Sequence, residues 1–247
     1  MNDTKHAIIV GATSGIGLEV ARLLAQKGWT LAIAGRREEL LKKISEEIPQ
    51  VKCYKVIDIT VPEADERLNE LIEEMGGMTL YFHSSGIGYQ NMVLDTQKEL
   101  STTETNVVGF TRMMDFVFHY FEQHPEINGH IAAISSIAGA KGLGAAPAYS
   151  ATKRFQNHYL ECLTQLAKMK KMKLSITDIR PGFVATDLIK GGYYPLQLNA
   201  VDVAKEIVYA IEKKKSIRII DWKYRILVFF WKLIPRWLWV RLTIKTQ

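Results

Sequence analysis

Short apolar runs alternate with amphipathic helical stretches along the first 220 residues, a pattern typical of βαβ units and a parallel sheet. The longest helices are predicted over roughly 96–124 and 147–169. No internal repeat or low-complexity linker interrupts the alternation, so we predict an α/β fold, a single Rossmann-type doubly wound domain over residues 1–220. Strands are predicted at 6–10, 30–34, 52–57, 79–84, 130–135, 174–179 and 216–220.

Composition fits one globular domain. The chain has 247 residues, 47% of them hydrophobic, which allows a large buried core. Cys53 and Cys162 lie far apart and form neither a disulfide framework nor a metal-ligand pattern, so we expect a reducing, cytoplasmic compartment and no metal. The first apolar run is too short for a signal peptide or a membrane span, and we expect the mature chain to begin where the sequence does.

The net charge of +6 belongs to the C-terminal end of the chain. Residues 213–247 contain ten Lys or Arg and one acidic residue, whereas residues 1–212 contain 22 basic and 25 acidic residues. The domain itself is therefore slightly acidic, and the basic partner surface, if any, lies in the tail.

The tail, residues 221–247, is predicted as an amphipathic extension. It holds four of the five tryptophans, and Pro235 should break it into two short helices. Every window of about twenty residues includes several cations, which disfavours a spanning helix. Alternating basic and aromatic residues suit peripheral contact with the inner face of a membrane through 222–245. The alternative is packing against the domain or a second subunit, and no nucleic acid partner is expected because the patch is too apolar.

A glycine-rich turn follows the first strand directly and precedes a helix. Such a turn lets the backbone approach a pyrophosphate, whose charge is met by amides and by the helix dipole. The order strand, loop, helix predicts a dinucleotide cradle, although a glycine-rich turn without a ligand remains the alternative. The candidate cradle residues are Gly11, Thr13, Ser14, Gly15, Ile16 and Gly17.

The stretch "YSATK" places Tyr149 and Lys153 four residues apart on a predicted helix, and therefore on one face. A neighbouring cation favours phenolate and lowers a tyrosine pKa from its usual value of about 10. Tyr149 is therefore a candidate proton carrier, the alternative being a surface lysine that packs along the ring.

Over about residues 5–220 the sequence resembles the short-chain dehydrogenase/reductase family, because five motifs of that family occur in the expected order. The glycine motif appears as "VGATSGIG", with Val10 where the family usually has threonine, and the catalytic Y-x-x-x-K appears as "YSATK". Ser136 stands where the family keeps its serine, and "NVVG" begins at Asn106. The segment "RPGFVATD" matches the family's P-G motif and brings Thr186 to the position that contacts the nicotinamide carboxamide.

This resemblance implies an oxidoreductase, a carbonyl reductase or alcohol dehydrogenase that forms a homodimer or homotetramer through the two long helices. It implies that Tyr149 is the general acid in reduction and that Ser136 hydrogen-bonds the carbonyl oxygen. Lys153 would bind the nicotinamide ribose and lower the Tyr149 pKa, and Asn106 would anchor a water in the proton relay.

Cofactor choice is expected at the end of the second strand. Gly35 stands where NAD-preferring relatives carry aspartate, and Arg36 and Arg37 follow. An arginine there would accommodate a 2′-phosphate, so we predict NADP(H) in preference to NAD(H), with Arg36 favoured as the phosphate ligand and Ser14 assisting. Alternatively, the two arginines begin a solvated helix face and pair with the adjacent glutamates.

Other cofactor contacts are implied by the same resemblance. Asp58 would contact the adenine. The family's N-N-A-G segment is "HSSG" here, which puts its local hydrogen bonds in question; for His83 a core position is favoured over a catalytic or metal role. The remaining implied contacts are Ile59, Ser85, Gly86, Pro181, Gly182, Val184 and Thr186.

A substrate lid is expected between the P-G motif and the next helix. Its apolar and aromatic residues predict an apolar or lipid-like carbonyl substrate, and two glycines would let it move. These residues are Tyr193, Tyr194, Leu196 and Leu198, and the glycines are Gly191 and Gly192.

Two other functions are weaker interpretations. A dinucleotide-binding sensor or scaffold on a membrane would not need the full set of Asn106, Ser136, Tyr149 and Lys153. A nucleotide-sugar epimerase or dehydratase would need a larger C-terminal substrate domain than we expect here.

Overall fold

The computed structural model describes residues 5–186 and 196–244. Its centre is a seven-stranded sheet in the order β3-β2-β1-β4-β5-β6-β7, in which all neighbours pair in parallel. The predicted fold class is confirmed, and no strand end differs from the prediction by more than one residue. The strands are β1 His6–Val10, β2 Thr30–Gly35, β3 Val51–Val56, β4 Leu80–His83, β5 Gly129–Ile134, β6 Leu174–Arg180 and β7 Ile217–Ile219.

Helices connect the strands and continue beyond β7. The long helix predicted over 96–124 is interrupted by a π-helical turn, Glu104–Gly109, and a 3-10 turn, Ile137–Gly139, follows β5. The α-helices are α1 Gly15–Gln26, α2 Glu38–Glu47, α3 Ala64–Met75, α4 Thr96–Thr103, α5 Phe110–Gln123, α6 Pro147–Met169, α7 Ala200–Glu212, α8 Trp222–Leu233 and α9 Arg236–Trp239.

The central strands are buried on both faces, as a parallel sheet covered by helices requires. Alternate residues of β1 belong to opposite layers because successive side chains of a strand point to opposite faces. Ile9 packs with residues of α1, α2 and α7, whereas Ile8 packs with residues of α3, α5 and α6. The strand order reverses between β1 and β4, so a crevice forms at their carboxyl ends.

The turn between β1 and α1 depends on glycine. Gly11 has φ +92°, and a Cβ there would lie 2.7 Å from the Ser85 backbone nitrogen. A Cβ on Gly17 would lie 2.1 Å from the Gly11 carbonyl oxygen. The Ser14 side chain makes no capping bond to α1. The first turn of α1 therefore packs directly against the end of β1.

The two C-terminal helices pack beside the crevice, and they are separated at Pro235 as predicted. Tyr224 and Val228 of α8 are buried in a cluster with Ile137. The Trp239 indole Nε1 donates to the Gly142 carbonyl oxygen at 2.7 Å. Among the helical residues within 5–186 and 196–244, none form a helix long and apolar enough to cross a membrane.

We expect Gly17→Ala to lower the free energy of unfolding by about 1–3 kcal/mol, because the added methyl would collide with backbone rather than with a mobile side chain. Urea unfolding followed by circular dichroism measures the change. Gly142→Ala is the matched control, since a Cβ there meets no atom within 4 Å, and its effect should stay within about 0.5 kcal/mol. Equal stability of the two variants would contradict the tight packing of this turn.

Candidate active site

Three elements bring the four candidate catalytic residues together at the carboxyl end of the sheet. Ser136 follows β5, Tyr149 and Lys153 lie in the first two turns of α6, and Asn106 lies in the π-helical turn. A Cβ on Gly86 would lie 3.2 Å from Asn106 Oδ1 and 3.6 Å from Lys153 Nζ, so the chain after β4 passes between these two side chains. Lys153 Nζ lies 5.7 Å from the centroid of the Tyr149 ring.

Ser136 is buried and held by two backbone groups. Its Oγ accepts a hydrogen bond from the Ala138 N–H at 3.1 Å, which caps the 3-10 turn, and donates to the Pro181 carbonyl oxygen at 3.4 Å. Its hydroxyl also hydrogen-bonds the Tyr149 phenol. These contacts fix the hydroxyl between the P-G segment and the tyrosine.

Tyr149 is the third residue of α6, which begins at Pro147. Its ring packs against the backbone of Gly88, where a Cβ would lie 2.2 Å from the ring. Burial raises the pKa of Tyr149, and the hydrogen bond with Ser136 opposes this only in part. The net shift of the Tyr149 pKa is therefore opposite in direction to the lowering that its spacing from Lys153 predicts. Tyr149 therefore keeps its proton near neutral pH.

Lys153 is a buried cation, with 4% of its surface exposed. Its Nζ donates to the Ile134 carbonyl oxygen at 3.2 Å and to Gln156 Oε1 at 2.9 Å. Burial lowers the pKa of Lys153 to about 8, and the charge of Asp178 opposes this shift. These two acceptors hold the ammonium over the Tyr149 ring.

Asp178 of β6 is a buried carboxylate that the motif analysis did not single out. It forms an ion pair with Arg180, whose Nη2 lies 2.6 Å from Asp178 Oδ2, and it accepts a hydrogen bond from the Ser135 hydroxyl. Burial raises the pKa of Asp178, while Arg180, Ser135 and Lys153 oppose the shift. The polar groups that surround Lys153 beneath the crevice therefore include Asp178 on β6.

The Asn106 side chain holds the loop after β4. Its Oδ1 accepts from the Ile87 N–H at 2.9 Å, and its Nδ2 donates to the Ile87 carbonyl oxygen at 2.7 Å and to Thr152 Oγ1 at 3.1 Å. The Asn106 carbonyl oxygen accepts from Gln156 Nε2 at 2.9 Å. Gln156 was missed by the motif analysis. Its spacing of three residues from Lys153, on the same face of α6, was the available signal.

His83, the first residue of "HSSG", is fully buried at the end of β4. Its Nδ1 is 3.0 Å from the Tyr81 hydroxyl, and its ring packs edge-on against Phe110. Burial and the charge of Lys153 lower the pKa of His83 to about 3, so the ring is neutral. No group of three or more His, Cys, Asp or Glu residues suited to a metal occurs within the described ranges. These contacts fit the favoured core position.

The glycine-rich turn has the geometry of a phosphate cradle. Gly15 has φ +56°, and a Cβ there would lie 3.1 Å from the Thr186 methyl group. The Thr186 hydroxyl donates to the Val184 carbonyl oxygen at 3.3 Å. The P-G segment thus lies across the crevice from the N-terminus of α1. Any side chain larger than hydrogen at the glycines of the turn would fill the space between that segment and the helix. The candidate cradle residues fit a pyrophosphate.

Arg37 reaches the glycine-rich turn, whereas Arg36 is the residue favoured from the sequence as the phosphate ligand. Arg37 Nη2 donates to Thr13 Oγ1 at 2.6 Å and to Ser14 Oγ at 2.8 Å. Within the described residues, neither arginine forms an ion pair with the glutamates that begin α2. A Cβ on Gly35 would lie 3.0 Å from the Thr13 methyl group, so a side chain at position 35 would require Thr13 to shift.

The remaining candidate cofactor residues line the loops after β3 and β6. Asp58 accepts hydrogen bonds from the Thr60 N–H and hydroxyl at 3.0 and 2.7 Å, which leaves its second carboxylate oxygen outside this turn. The Ile59 carbonyl oxygen accepts from Arg112 at 2.8 Å. The Pro181 carbonyl oxygen accepts from the Ile137 N–H at 3.1 Å, which joins the P-G segment to the 3-10 turn.

Tyr224 of α8 fixes both ends of the expected lid. A Cβ on Gly182 would lie 2.1 Å from the Tyr224 ring, so the ring stacks directly on the P-G backbone. The Tyr224 hydroxyl accepts from the Phe183 N–H at 3.2 Å and donates to the Leu196 carbonyl oxygen at 3.0 Å. The Leu198 N–H donates to the Phe183 carbonyl oxygen at 2.8 Å. Four residues of the expected lid lie outside the described residues: Tyr193, Tyr194, Gly191 and Gly192.

Sequence comparison identifies relatives that cover most of the chain. The short chain dehydrogenase family profile matches residues 5–192. Dehydrogenase/reductase SDR family member 7B from Bos taurus is 29% identical over 234 residues, covering 85% of this chain and 71% of that protein. An uncharacterized oxidoreductase of Mycobacterium tuberculosis is 30% identical over 246 residues, covering 94% of this chain and 92% of that protein.

Solved structures share the fold. An alcohol dehydrogenase from Thermococcus sibiricus complexed with 5-hydroxy-NADP has a TM-score of 0.76 at 24% identity, covering 87% of this chain and 95% of that chain. The 3-ketoacyl-(acyl-carrier-protein) reductase from Brucella melitensis complexed with NADH has a TM-score of 0.79 at 18% identity, covering 90% and 98%.

The family profile spans about three-quarters of the sequence, from β1 to the segment after β6. This span includes all five motifs, and the sheet order carries the motifs to one crevice. The family assignment implied by the motifs is confirmed: the chain belongs to the short-chain dehydrogenase/reductase family of oxidoreductases.

Proposed function

We propose that this protein interconverts a carbonyl group and an alcohol, with NADPH preferred over NADH and Tyr149 as the general acid in reduction. The observation that carries the proposal is the position of Tyr149, hydrogen-bonded to Ser136 on one side and beside the buried Lys153 ammonium on the other. When bound, the reduced nicotinamide supplies the hydride.

The chain's own residues then account for the proton. The Ser136 hydroxyl rotates from the Pro181 carbonyl oxygen to donate a hydrogen bond to the substrate oxygen. Tyr149 transfers its phenolic proton to that oxygen as negative charge develops there. Lys153 offsets the charge left on the phenolate. A Tyr149 pKa above its usual value keeps the proton available for reduction across the neutral range. Asn106 holds the loop after β4 in place beside Lys153.

The preference for NADPH is supported by the cluster of Arg37, Thr13 and Ser14. A guanidinium between two hydroxyls offers a positive charge and directed donors, which suit a 2′-phosphate. Position 35 is a glycine, so no carboxylate stands there to accept from a ribose hydroxyl or to repel a phosphate. Among the solved neighbours, an actinorhodin polyketide ketoreductase is complexed with NADPH, whereas the Brucella enzyme is complexed with NADH. The preference of this chain for NADPH over NADH therefore depends on the cluster of Arg37, Thr13 and Ser14.

An apolar or lipid-like carbonyl compound is the proposed substrate class. The side of the crevice near the P-G segment is bordered by Tyr224 and Val228 of α8, which cluster with Ile137 of the 3-10 turn. Leu196, where the described part of the expected lid resumes, exposes 49% of its surface. One solved neighbour is named a polyketide ketoreductase and another a 3-ketoacyl-(acyl-carrier-protein) reductase.

The tail, residues 221–247, is proposed to be an extension of the catalytic domain over residues 1–220 and to contact the inner face of an anionic membrane through residues 222–245. Its inner face packs on the domain, whereas its outer face exposes large aromatic and aliphatic side chains beside cations. The Arg241 guanidinium lies over the Trp237 ring at 5.7 Å. The exposed apolar residues include Trp222, Ile226, Phe229, Phe230, Leu233, Trp237 and Val240.

We further propose a homodimer or homotetramer in which α5 and α6 pack between subunits in the cytoplasm. The outer face of α6 carries the stacked rings of Phe155 and Tyr159 next to the exposed Cys162. Aromatic residues are enriched in the cores of protein interfaces. The tail surface is the competing location for a subunit contact.

We expect Tyr149→Phe to lower kcat at least about 100-fold while the NADPH dissociation constant stays within about threefold, because the variant loses only the proton donor. NADPH oxidation is followed by absorbance against ketones ranging from short aliphatic to long-chain and steroid compounds, and NADPH binding is followed by fluorescence. Tyr209→Phe, an exposed tyrosine on α7, is the control. Retained turnover in Tyr149→Phe would remove Tyr149 as the acid. NADPH binding without turnover of any wild-type substrate would favour the sensor interpretation.

We expect Arg37→Gln to lower the ratio of kcat/KM for NADPH to that for NADH by about tenfold or more, because the guanidinium directed at the glycine-rich turn is lost. Arg36→Gln is the matched control, with the same chemical change one residue earlier. A larger change in Arg36→Gln would return the phosphate contact to Arg36, and an unchanged ratio in both variants would contradict the proposed selectivity.

We expect the double variant Phe229→Ser and Trp237→Ser to weaken binding to phosphatidylserine-containing vesicles at least about tenfold, because each change removes an exposed apolar side chain from the contact. Vesicle co-sedimentation measures binding. Tyr224 is left intact so that the P-G segment keeps its support.

The control for this experiment is Met169→Ser with Val201→Ser, which removes two exposed apolar side chains outside the tail. Size-exclusion chromatography of every variant separates the two proposals for the tail. Unchanged vesicle binding together with a smaller oligomer would show that the tail is a subunit interface.

A further inference from the structure

We propose that Gln156 is a positioning residue for Lys153, and that its side-chain amide bridges the Lys153 ammonium and the main-chain carbonyl of Asn106. This inference rests on the proposed function in assigning Lys153 to the reaction. The bridge consists of two hydrogen bonds, Lys153 Nζ to Gln156 Oε1 and Gln156 Nε2 to the Asn106 carbonyl oxygen, each 2.9 Å long.

The two contacts fix the orientation of the Gln156 amide. A carbonyl oxygen accepts only from a donor, so the NH₂ group must face Asn106, and the amide oxygen must then face Lys153. Gln156 is fully buried, with no exposed surface, so solvent does not compete for either group. The amide therefore presents a fixed acceptor to the ammonium.

This acceptor limits where the remaining hydrogen of Lys153 can point. An ammonium has three donors, and the Ile134 carbonyl oxygen and Gln156 Oε1 accept two of them. The third is left for the side of the crevice where Tyr149 lies and where the nicotinamide ribose is proposed to bind. Gln156 thus orients the Lys153 ammonium by accepting one of its hydrogens on the side away from the crevice.

The bridge engages Asn106, the residue at which the family resemblance leads us to expect an anchored water. The Asn106 side-chain amide is engaged by Ile87 and Thr152. Its main-chain carbonyl, in the π-helical turn, accepts from Gln156. The Gln156 side chain therefore connects the π-helical turn to Lys153, and the backbone of α6 holds Gln156 in place.

The charged and titratable groups around Lys153 are few. Asp178 of β6 favours the ammonium, Tyr149 of α6 lies beside it, and His83 of β4 is neutral because of its burial. Removing the Gln156 oxygen would leave a buried cation with fewer acceptors, which favours its neutral form. The ammonium would then be lost at lower pH, and with it the activity in the reductive direction.

Two substitutions separate hydrogen bonding from packing. Gln156→Met keeps the volume of the side chain and removes both hydrogen bonds. Gln156→Ala removes the volume as well, and the polar pocket that it leaves, between the Asn106 carbonyl and the Lys153 ammonium, has room and partners for a water. If Gln156 positions Lys153, activity should decrease in the order wild type, Ala, Met. A residue that only fills space would give Met above Ala.

The deciding measurement is an NMR titration of lysine Cε signals in the full-length protein, with the Lys153 signal assigned from its loss in Lys153→Met. We expect the pKa of Lys153, about 8 in the wild type, to decrease in Gln156→Met and to decrease less in Gln156→Ala. The alkaline fall of kcat/KM for ketone reduction should move to lower pH in the same order, and kcat at pH 8 should decrease about tenfold in Gln156→Met.

An unchanged Lys153 titration in Gln156→Met overturns the proposal whatever the activity. Gln156→Glu provides the opposite sign and decides the question if Gln156→Met does not fold: a carboxylate beside the ammonium should raise the pKa of Lys153 above about 8, and a lowered value would contradict the contact. The titration needs no turnover. If the wild type reduces no ketone in the panel, the proposed function fails while the titration still tests Gln156.

Discussion

The burial of one positive charge constrains the whole site. Lys153 lies inside the domain, where an unpaired ammonium would be costly, so the surrounding elements supply acceptors. Ile134 does so from β5 and Gln156 from α6, while the carboxylate of Asp178 acts from β6. Held by these partners, the Lys153 Nζ lies 5.7 Å from the centroid of the Tyr149 ring. The same low-polarity surroundings raise the Tyr149 pKa, so the pair is arranged as a neutral acid beside a cation.

The C-terminal helices are structurally continuous with this site. Tyr224 stacks on Gly182 and hydrogen-bonds the backbone at Phe183 and Leu196, so α8 supports the segment that lies across the crevice from the glycine-rich turn. Lys141, in the loop after the 3-10 turn, donates to the Ile234 carbonyl oxygen at 2.7 Å. The helices of the tail therefore pack on the same segments that border the crevice.

Much of the fold and part of the site could be predicted from local patterns. The alternation of buried strands and amphipathic helices placed every strand end within one residue, because a strand buried on both faces must be apolar throughout. The spacing of Tyr149 and Lys153 depends only on helical periodicity. Pro235 separates α8 and α9 because proline lacks the N–H that a continuous helix needs. These features depend on interactions within one element.

Long-range packing decided the rest. Arg37, not Arg36, turns toward Thr13 and Ser14, because the direction of a side chain at the end of β2 depends on the loop after β1. The pKa of Tyr149 rises because burial outweighs its hydrogen bond, and burial is a property of the assembled domain. Gln156 of α6 donates to Asn106 of the π-helical turn, although these two residues are fifty positions apart in the chain. The sequence by itself determined the elements and the order of the motifs, whereas only the tertiary structure decided which side chains meet, since those contacts join residues that local periodicity does not relate.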